Sequence, residues 1–494
     1  MPSPRRHAAI VWFRRDLRLA DNPALAAALA TGLPVVPLWV HAPEEEAPWH
    51  PGAASRWWLH RSLGALAASL AERGAPLVVR RGPSRAAIES LCDETGARHV
   101  FWNRRHEPAL AARDAAVEQA LRDRGIDTTT SESGLLFGPR EIATAGGAPY
   151  RVFTPFWRNA RARLRVAPPT PAPARIPAVP GLRSVAIDEL GLAPRIAWDT
   201  GLADAWLPGE AGAQAALEAF LAHAHARYAA ERDLPAVDGT SRLSPHLHFG
   251  EIGPRQVVAA LARHAPLERS EKFLAELGWR EFAHHLLAHF PHTTEAPFDP
   301  RFERFPWQSP DPALLQAWRR GRTGYPLVDA GMRQLWATGW MHNRVRMVVA
   351  SFLTKNLRVH WLEGARWFWD TLVDADLANN TQGWQWTAGS GADPAPYFRI
   401  FNPVAQGERF DPSGAYVRRW IPELAHVPAS HVHRPWTLPA AERARHGLAG
   451  TPYESPIVDL AGTRAAALAA HASMRAAWSG APSERVLAAV RAGA

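Results

Sequence analysis

Cysteine and lysine are nearly missing from this sequence. Cys92 is the only cysteine among 494 residues, which excludes an internal disulfide and any zinc or iron–sulfur site built from several cysteines. We therefore expect a reducing, cytoplasmic location and no bound metal. Only Lys272 and Lys355 are lysines, so arginine supplies nearly all of the 56 basic side chains.

Long apolar segments are also lacking. The basic N-terminus is not followed by the apolar core of a signal peptide, because Trp12, Arg14 and Asp16 interrupt the apolar run. No stretch approaches the ~18 uncharged apolar residues that a membrane span needs. We expect neither a signal peptide nor a membrane partner. With 47% hydrophobic and 21% charged residues, the chain has the composition of a folded protein, and its length indicates two or more domains.

Negative charge is in deficit. The chain has 47 acidic against 56 basic side chains, a formal net charge of +9 and a pI near 10.4. Guanidinium groups make planar, bidentate contacts with phosphate, which an ammonium group cannot do. The composition is therefore typical of a protein with a phosphate-rich partner such as nucleic acid, and a solvated basic surface is the alternative.

Tryptophan, in contrast, is abundant. Nine of the 22 tryptophans fall between Trp307 and Trp386. Each indole is large and has one N–H donor that needs a partner when buried. Such a density indicates a helical core, a surface on which bases stack, or a chain of redox-active rings, and density alone favours the core.

Short β-rich runs alternate with Ala- and Leu-rich helical stretches in the first 130 residues. This rhythm predicts an α/β domain, 1–135, with a doubly wound parallel sheet that binds ligands at the carboxyl ends of its strands. No G-x-G-x-x-G follows the first run, so an ordinary nicotinamide fingerprint is absent. The predicted strands are Ala8–Phe13, Pro34–Val40, Pro76–Arg80, His99–Trp102 and Ile126–Thr130.

A proline-rich stretch separates this part from the rest. Residues 167–181 contain prolines that cannot sustain a helix or a central strand, and we interpret 136–205 as an interdomain linker. Long helical patterns follow, among them Ser270–Phe290 and Pro326–Leu357. We therefore predict a mostly α-helical domain over 206–480 and a short C-terminal tail, 481–494.

Three polar motifs lie in the helical part. Hydroxyls and an arginine in Gly239–His246 precede a helix, with Ser244 as the expected N-cap, which is typical of a phosphate cradle or of an ordinary capped helix. Glu276, Trp279 and Arg280 share one helical face, suited to a nucleobase and its phosphate or to a salt-bridged helix.

The third motif follows residue 339. Trp340, Asn343 and Met347 fall at i, i+3 and i+7, so an amide and a thioether share a helical face, with Arg346 one turn from Asn343. Met347 alone is more typical of a core gap-filler. We interpret His342 and the pairs His246/His248 and His284/His285 as structural histidines.

A polar run, 374–386, stands between apolar segments. Asp374 or Asp376 could pair with an arginine and bind a ring, and a loop with Asx turns is the alternative. Trp384 and Trp386 are two residues apart and must point to different sides.

Taken together, these motifs identify a family resemblance. The sequence resembles the photolyase/cryptochrome flavoproteins from about residue 8 to 475, most closely the class I cyclobutane pyrimidine dimer photolyases. The matching text is Val11–Arg18, Arg232–Val237, Thr240–Ser244, Thr323–Met347, the polar run to Trp386, and Tyr397–Pro403.

The resemblance implies a folded FAD in the helical domain, active in its reduced form. Asn380 matches the residue that faces flavin N5, where plant cryptochromes place an acid, and Arg346 and Asp374 are expected to form an ion pair. The implied FAD-binding residues are Tyr228, Thr240, Ser241, Arg242, Leu243, Ser244, Phe273, Asn343, Arg346, Asp374, Asp376 and Asn380.

The resemblance also implies a reaction. Reduced FAD would absorb light, pass an electron to a flipped-out pyrimidine dimer and recover it after the ring splits. Glu276, Asn343 and Asn380 are the implied catalytic residues, and Trp384, Trp361 and Trp307 match the family's electron-transfer chain. The implied DNA-binding residues are Arg232, Glu276, Trp279, Arg280, Asn343, Arg344, Met347 and Trp386.

Some functional details stay open at this stage. Members that repair the (6-4) photoproduct place histidines at the positions of Asn343 and Met347, so dimer repair is preferred over (6-4) repair. Glu276, Asn343, Met347 and Trp386 together favour it over a blue-light photoreceptor and over a light-independent nucleic-acid-binding flavoprotein. Glu107 matches the antenna-side glutamate, and the antenna could be a folate, a deazaflavin or a flavin. We expect a monomer that acts on UV-damaged DNA.

Overall fold

The computed structural model describes residues 7–309, 311–393 and 398–478. Contacts between Cα atoms divide the chain into two compact units. The first unit extends to Ala226 and adds Ser241–His289 and Val373–Asp376; the second comprises Arg227–Thr240, Phe290–Leu372 and the residues from Leu377 onward. Tyr397 and the predicted tail, 481–494, lie outside the described residues.

A five-stranded parallel sheet forms the centre of the first unit. Its strand order is β3-β2-β1-β4-β5, so the chain winds outward in both directions from β1. The structure confirms the predicted α/β class with a parallel sheet. It also confirms the predicted strand positions to within two residues. The strands are β1 (Ala9–Phe13), β2 (Val35–His41), β3 (Val78–Arg81), β4 (His99–Asn103) and β5 (Asp127–Ser131).

Helices make up most of the remaining structure. Within the described ranges, none of them combines the length and the apolarity needed to cross a bilayer. Their bounds are α1 (Pro23–Ala30), α2 (Ala53–Glu72), α3 (Ser84–Thr95), α4 (Pro108–Asp123), α5 (Phe153–Arg163), α6 (Thr200–Ala205), α7 (Glu210–Ala219), α8 (Tyr228–Glu231), α9 (Ser244–Phe249), α10 (Pro254–His264), α11 (Glu271–His289), α12 (Pro312–Arg319), α13 (Pro326–Thr338), α14 (Asn343–Ser351), α15 (Trp361–Thr371), α16 (Leu377–Ala388), α17 (Pro403–Phe410), α18 (Ala415–Trp420), α19 (Ala440–Arg445) and α20 (Leu460–Ala476).

The long helical pattern predicted over Pro326–Leu357 is broken in the structure. Helix α13 ends at Gly339, which has a φ of 67° in the left-handed region, and α14 begins only at Asn343. Glycine adopts this conformation at little cost and commonly ends helices. The prediction that Trp340 shares a helical face with Asn343 is therefore wrong, because Trp340 lies in the connection.

The range predicted as a linker, 136–205, carries helices of its own. Helix α5 packs on α11, where the rings of Phe153 and Trp279 stack with centroids 3.7 Å apart. This part of the range therefore contributes to the core of the first unit, while the predicted domain boundaries stay a prediction.

Arg18 ties several segments of the first unit together. Its side chain is 1% exposed, and its guanidinium donates hydrogen bonds to the carbonyl oxygens of Asp21 at 2.8 Å and Gly250 at 2.9 Å and to Oγ of Ser133 at 2.6 Å. Burial lowers the pKa of Arg18, and Asp16 and Asp21 oppose that effect. The buried cation thus joins the segment after β1 to the end of α9 and to the segment after β5.

Tryptophan fills the cores of both units. Trp12 and Trp102 meet edge to face in the sheet core, with ring centroids 5.9 Å apart. In the second unit Trp318 and Trp361 are fully buried, whereas Trp336 is 65% exposed. Among the nine tryptophans between Trp307 and Trp386, the preference for a core role is confirmed for the four that are buried, and the others show that the abundance has more than one use. The buried four are Trp318, Trp361, Trp369 and Trp384.

Gly278 on α11 provides a test of this packing. A Cβ at this position would overlap the ring of Trp157, so Gly278→Ala must displace an indole or a helix, and we expect a loss of about 1–3 kcal/mol of unfolding free energy. Gly64→Ala is the matched control, because this exposed position on α2 has no atom within 4 Å of a new Cβ. The control should be neutral or stabilising by up to about 1 kcal/mol. Urea unfolding followed by circular dichroism measures both, and equal stabilities would contradict the packing described here.

Candidate functional site

Helix α16 carries three of the predicted site residues in the second unit. Nδ2 of Asn380 donates a hydrogen bond to the carbonyl oxygen of Ala365 at 3.0 Å. Trp384 is 2% exposed and packs against Gly364 of α15, where any Cβ would overlap the indole. The polar run is therefore helical from Leu377 onward, which makes the Asx-turn loop wrong for this part.

Trp386 lies on a different side of α16 from Trp384, as predicted. It is half-buried, and the guanidinium of Arg399 lies 5.4 Å from its ring centroid. The far end of the helix is held by Lys355, whose buried ammonium group donates to the carbonyl oxygen of Ala388. Nζ of Lys355 also lies 3.3 Å from the ring centroid of Phe398.

A histidine, His360, lies between two of the predicted electron-transfer tryptophans, Trp307 and Trp361. The ring of His360 lies 5.1 Å from the ring of half-buried Trp307 and 5.7 Å from the ring of buried Trp361. Trp384 has a further indole neighbour, Trp318, with centroids 6.3 Å apart. Sequence reasoning missed His360 and Trp318, because neither falls in a motif.

Helix α14 presents an amide and a thioether side by side. Nδ2 of Asn343 lies 4.0 Å from Sδ of Met347, so the predicted shared face is confirmed for this pair. Nε of Arg346 donates to the carbonyl oxygen of Met341 at 2.7 Å. Asn343 is exposed and Met347 is half-buried, so both side chains are available to a ligand.

Arginines and aromatic rings line a cleft of about 380 Å³ in the second unit. Nη2 of Arg344 lies 2.9 Å from Oδ2 of Asp233, and its guanidinium is 4.5 Å from the ring centroid of Phe410. Arg399 and Arg409 also line this cleft. The sequence analysis assigned neither a role, although Arg399 lies in the matching segment Tyr397–Pro403. Arg232 is the sequence neighbour of Asp233 in the cleft wall, and its guanidinium lies 5.5 Å from the ring centroid of Tyr228.

The loop before α9 contains an unusual backbone conformation. Arg242 has a φ of 51°, which is uncommon for a residue with a side chain, and its guanidinium lies 4.3 Å from the ring centroid of Trp206. Helix α9 begins at Ser244, so its N-cap is Leu243, and the prediction of Ser244 as N-cap is wrong by one residue. Ser241 accepts a hydrogen bond from the Leu243 N–H at 3.4 Å.

Helix α11 carries the predicted carboxyl, ring and guanidinium. Glu276 is half-buried on the same face as Trp279 and Arg280, and Nη1 of Arg280 donates to the carbonyl oxygen of Gly134 at 2.7 Å. Phe273 is buried one turn earlier, with its ring centroid 4.6 Å from that of Phe220. The hydrogen bond of Arg280 and the ring contact of Phe273 thus hold this face of α11 in place within the first unit.

Two histidines surround the carboxylate of Asp376. Its Oδ2 lies 3.3 Å from Nε2 of His284 and 3.7 Å from Nδ1 of His248, and all three residues are buried in the first unit. Burial would raise the pKa of Asp376, but His284 and His248 outweigh it and hold the pKa well below its usual range. These two histidines therefore do more than fill the structure, because they keep Asp376 ionised. Asp374 is also buried, and its ion pair with Arg346 stays a prediction.

A pocket of about 320 Å³ opens at the carboxyl ends of β1 and β2. Rings and arginines dominate its wall, which is typical of a site for a planar, anionic molecule. Glu107 does not line it but pairs with Arg105, which does. Burial would raise the pKa of Glu107, yet Arg105 more than offsets this and the pKa falls to about 2. Wall residues include Trp12, Trp39, His41, Arg14, Arg15 and Arg113.

Comparison with protein families matches both parts of the chain. A model described as DNA photolyase matches residues 9–174, and one described as the FAD binding domain of DNA photolyase matches residues 273–473. A deoxyribodipyrimidine photo-lyase of Agrobacterium fabrum is 46% identical over 473 residues, which are 94% of this chain and 98% of the relative.

Two further relatives extend the picture. Cryptochrome-1 of Arabidopsis thaliana is 39% identical over 92% of this chain and 68% of its own length. The crystal structure of a bacterial class III photolyase from Agrobacterium tumefaciens superposes with a TM-score of 0.91 at 45% identity, covering 96% of this chain and 99% of that one. The chain therefore belongs to the photolyase/cryptochrome family, as an enzyme of the deoxyribodipyrimidine photo-lyase class with FAD as its cofactor.

Proposed function

We propose that the protein splits cyclobutane pyrimidine dimers in DNA, using light absorbed by reduced FAD. The observation that carries this proposal is the pair formed by Asn343 and Met347 on α14, 4.0 Å apart, at positions where (6-4) photolyases place histidines. An amide and a thioether can border an apolar, hydrogen-bonding pair of bases without transferring a proton. The preference for the cyclobutane dimer over the (6-4) photoproduct therefore rests on the face of α14 that carries Asn343 and Met347.

The side chains present fit FAD. The buried hydroxyl of Thr381, beside Asn380 on α16, has no hydrogen-bond partner among the described residues, which suits a polar ligand next to this helix. Asp376 stays ionised in the first unit and can accept hydrogen bonds from an N–H group of a ring. When bound, FAD supplies the photoexcited electron that opens the dimer and takes it back afterwards.

The chain's own residues bind and orient the substrate. In its carboxylic acid form, Glu276 would donate a hydrogen bond to the carbonyl groups of the dimer and stabilise the negative charge that develops there. Trp386 and Trp279 would pack against the bases, and Asn380 would present a neutral amide to the flavin. Arg344, with Arg399 and Arg409 in the same cleft, would bind the DNA backbone through phosphate.

The pocket of the first unit is the proposed antenna site. Trp39 and His41 stack with centroids 5.7 Å apart on its wall, and the arginines around them suit a planar heteroaromatic chromophore with an anionic group. A folate, a deazaflavin or a flavin would satisfy this chemistry. Glu107 then acts on the site indirectly, by fixing Arg105.

Repair of a synthetic oligonucleotide with one thymine dimer tests the proposal. Reduced, FAD-containing protein should restore the thymines under blue light and not in darkness, as measured by chromatography of the digested DNA. A (6-4) oligonucleotide serves as the second substrate. No dimer repair by protein with demonstrably reduced FAD would refute the proposal. It would favour (6-4) repair or the photoreceptor role that the 39% identity to Cryptochrome-1 supports.

Replacing the carboxyl group of Glu276 tests its role in charge stabilisation. Glu276→Gln should lower the quantum yield of repair roughly threefold to tenfold, because an amide is a weaker donor than a carboxylic acid and a typical hydrogen bond contributes about 0.5–1.5 kcal/mol, a factor of about 2–12. FAD content should not change. Glu268→Gln, at an exposed position before α11, is the control and should repair normally. An undiminished yield in Glu276→Gln would remove the assigned role.

Replacing Trp307 separates photoreduction from repair. Trp307→Phe should slow the light-driven reduction of oxidised FAD at least about tenfold, since phenylalanine is much harder to oxidise, while chemically reduced protein repairs as before. Transient absorption and the repair assay measure the two properties. Trp420→Phe, at the end of α18, controls for the loss of an indole. If prereduced Trp307→Phe also fails to repair, the ring belongs to the fold or to the DNA site.

A further inference from the structure

A continuous series of polar contacts crosses the first unit from the pocket to Asp376. Arg15 and Glu46 both line the pocket, with Nη2 and Oε2 3.2 Å apart. Nη1 of the same guanidinium contacts Nε2 of His248. On the other side of the imidazole ring, Nδ1 lies 3.7 Å from Oδ2 of Asp376. All four residues belong to the first unit, so the series does not depend on the second.

Burial makes these contacts effective. The side chains of His248, Arg15 and Asp376 are 2%, 10% and 10% exposed, while that of Glu46 is 25% exposed at the pocket. Charges interact more strongly where water is excluded, so a change at one end is felt at the other. Burial, and then the positive charge of Arg15, lower the pKa of His248 to about 4. The ring is therefore neutral near pH 7 and separates a cation from an anion.

We propose that Arg15 is a positioning residue that couples charge in the pocket to the reduction potential of the flavin, through His248 and Asp376. The inference rests on the proposed function, in which Asp376 lines the flavin. An anionic group bound beside Arg15 offsets its positive charge, which makes the flavin harder to reduce. The antenna chromophore would then affect the redox state of FAD as well as its supply of light energy.

Two substitutions with opposite charge test the coupling. Arg15→Met removes the cation and should lower the midpoint potential of bound FAD, because less positive charge remains to stabilise the added electron. Glu46→Gln removes an anion from the other end and should raise the potential. We expect each to change the equilibrium between oxidised and reduced flavin about sixfold to fifteenfold, the effect of a unit charge roughly 10–15 Å away at an effective dielectric constant of about 20. Spectroelectrochemical titration at pH 8 measures both.

The pocket offers matched controls. Arg113→Met and Glu44→Gln make the same charge changes in side chains that line the pocket but lie outside the series. Removing Arg113 strands no buried charge, because Asp114 keeps its contact with Arg14 at 3.0 Å. Both controls should shift the potential by less than half as much as Arg15→Met and Glu46→Gln. Equal shifts in all four variants would mean that the total charge of the pocket acts, and no shift in Arg15→Met and Glu46→Gln would mean that nothing is coupled; either result overturns the proposal.

A further variant tests the flavin end. In an Asp376→Asn background, Arg15→Met should shift the potential by less than half as much as in the wild type, and a full shift would exclude Asp376 from the series. Glu46 is partly exposed, so Glu46→Gln keeps the proposal testable even if Arg15→Met does not fold. Failure of the repair assay leaves these potentials measurable, so the proposed function and the coupling can fail separately.

Discussion

The first unit depends on one buried cation. Arg18 replaces its lost hydration by donating hydrogen bonds to carbonyl and hydroxyl oxygens, so the segments that supply these acceptors cannot separate without stranding a charge in the interior. Those segments follow β1 and β5 and precede α10. They surround the carboxyl edge of the sheet, where Arg14 and Arg15 enter the pocket. A rigid edge allows short polar contacts to persist between elements that are far apart in sequence.

The sheet was predictable because its signal is local. Strands β1, β2 and β4 are largely apolar runs between turn residues, and because they are buried on both faces they need no alternation of polar and apolar residues. Strand β5 is polar, and its three threonines carry the strand signal. The error over Pro326–Leu357 has a local cause as well. The apolar residues keep their helical spacing across Gly339, but the positive φ of this glycine ends the helix. The spacing of apolar residues alone could not predict this, because it does not report backbone conformation.

The site was only partly predictable. Asn343 and Met347 are in contact because residues four positions apart on a helix lie on the same face. The same spacing rule places Glu276, Trp279 and Arg280 together. His248 and His284 contact Asp376 from positions about a hundred residues away, and no helical spacing could indicate that contact. Likewise, the rule that ligands bind at the carboxyl ends of parallel strands located the pocket, but not Trp39 or His41 as its wall.

The scarcity of lysine has a practical consequence. Lys355 is 1% exposed and its ammonium group is held by Ala388, whereas Lys272 is exposed on α11. Apart from the terminal amine, a reagent that modifies amines would therefore react almost exclusively at Lys272. That side chain stands one helical turn from Glu276, on the face assigned to the dimer. The natural sequence thus provides a single attachment point for a fluorophore that could report the arrival of DNA.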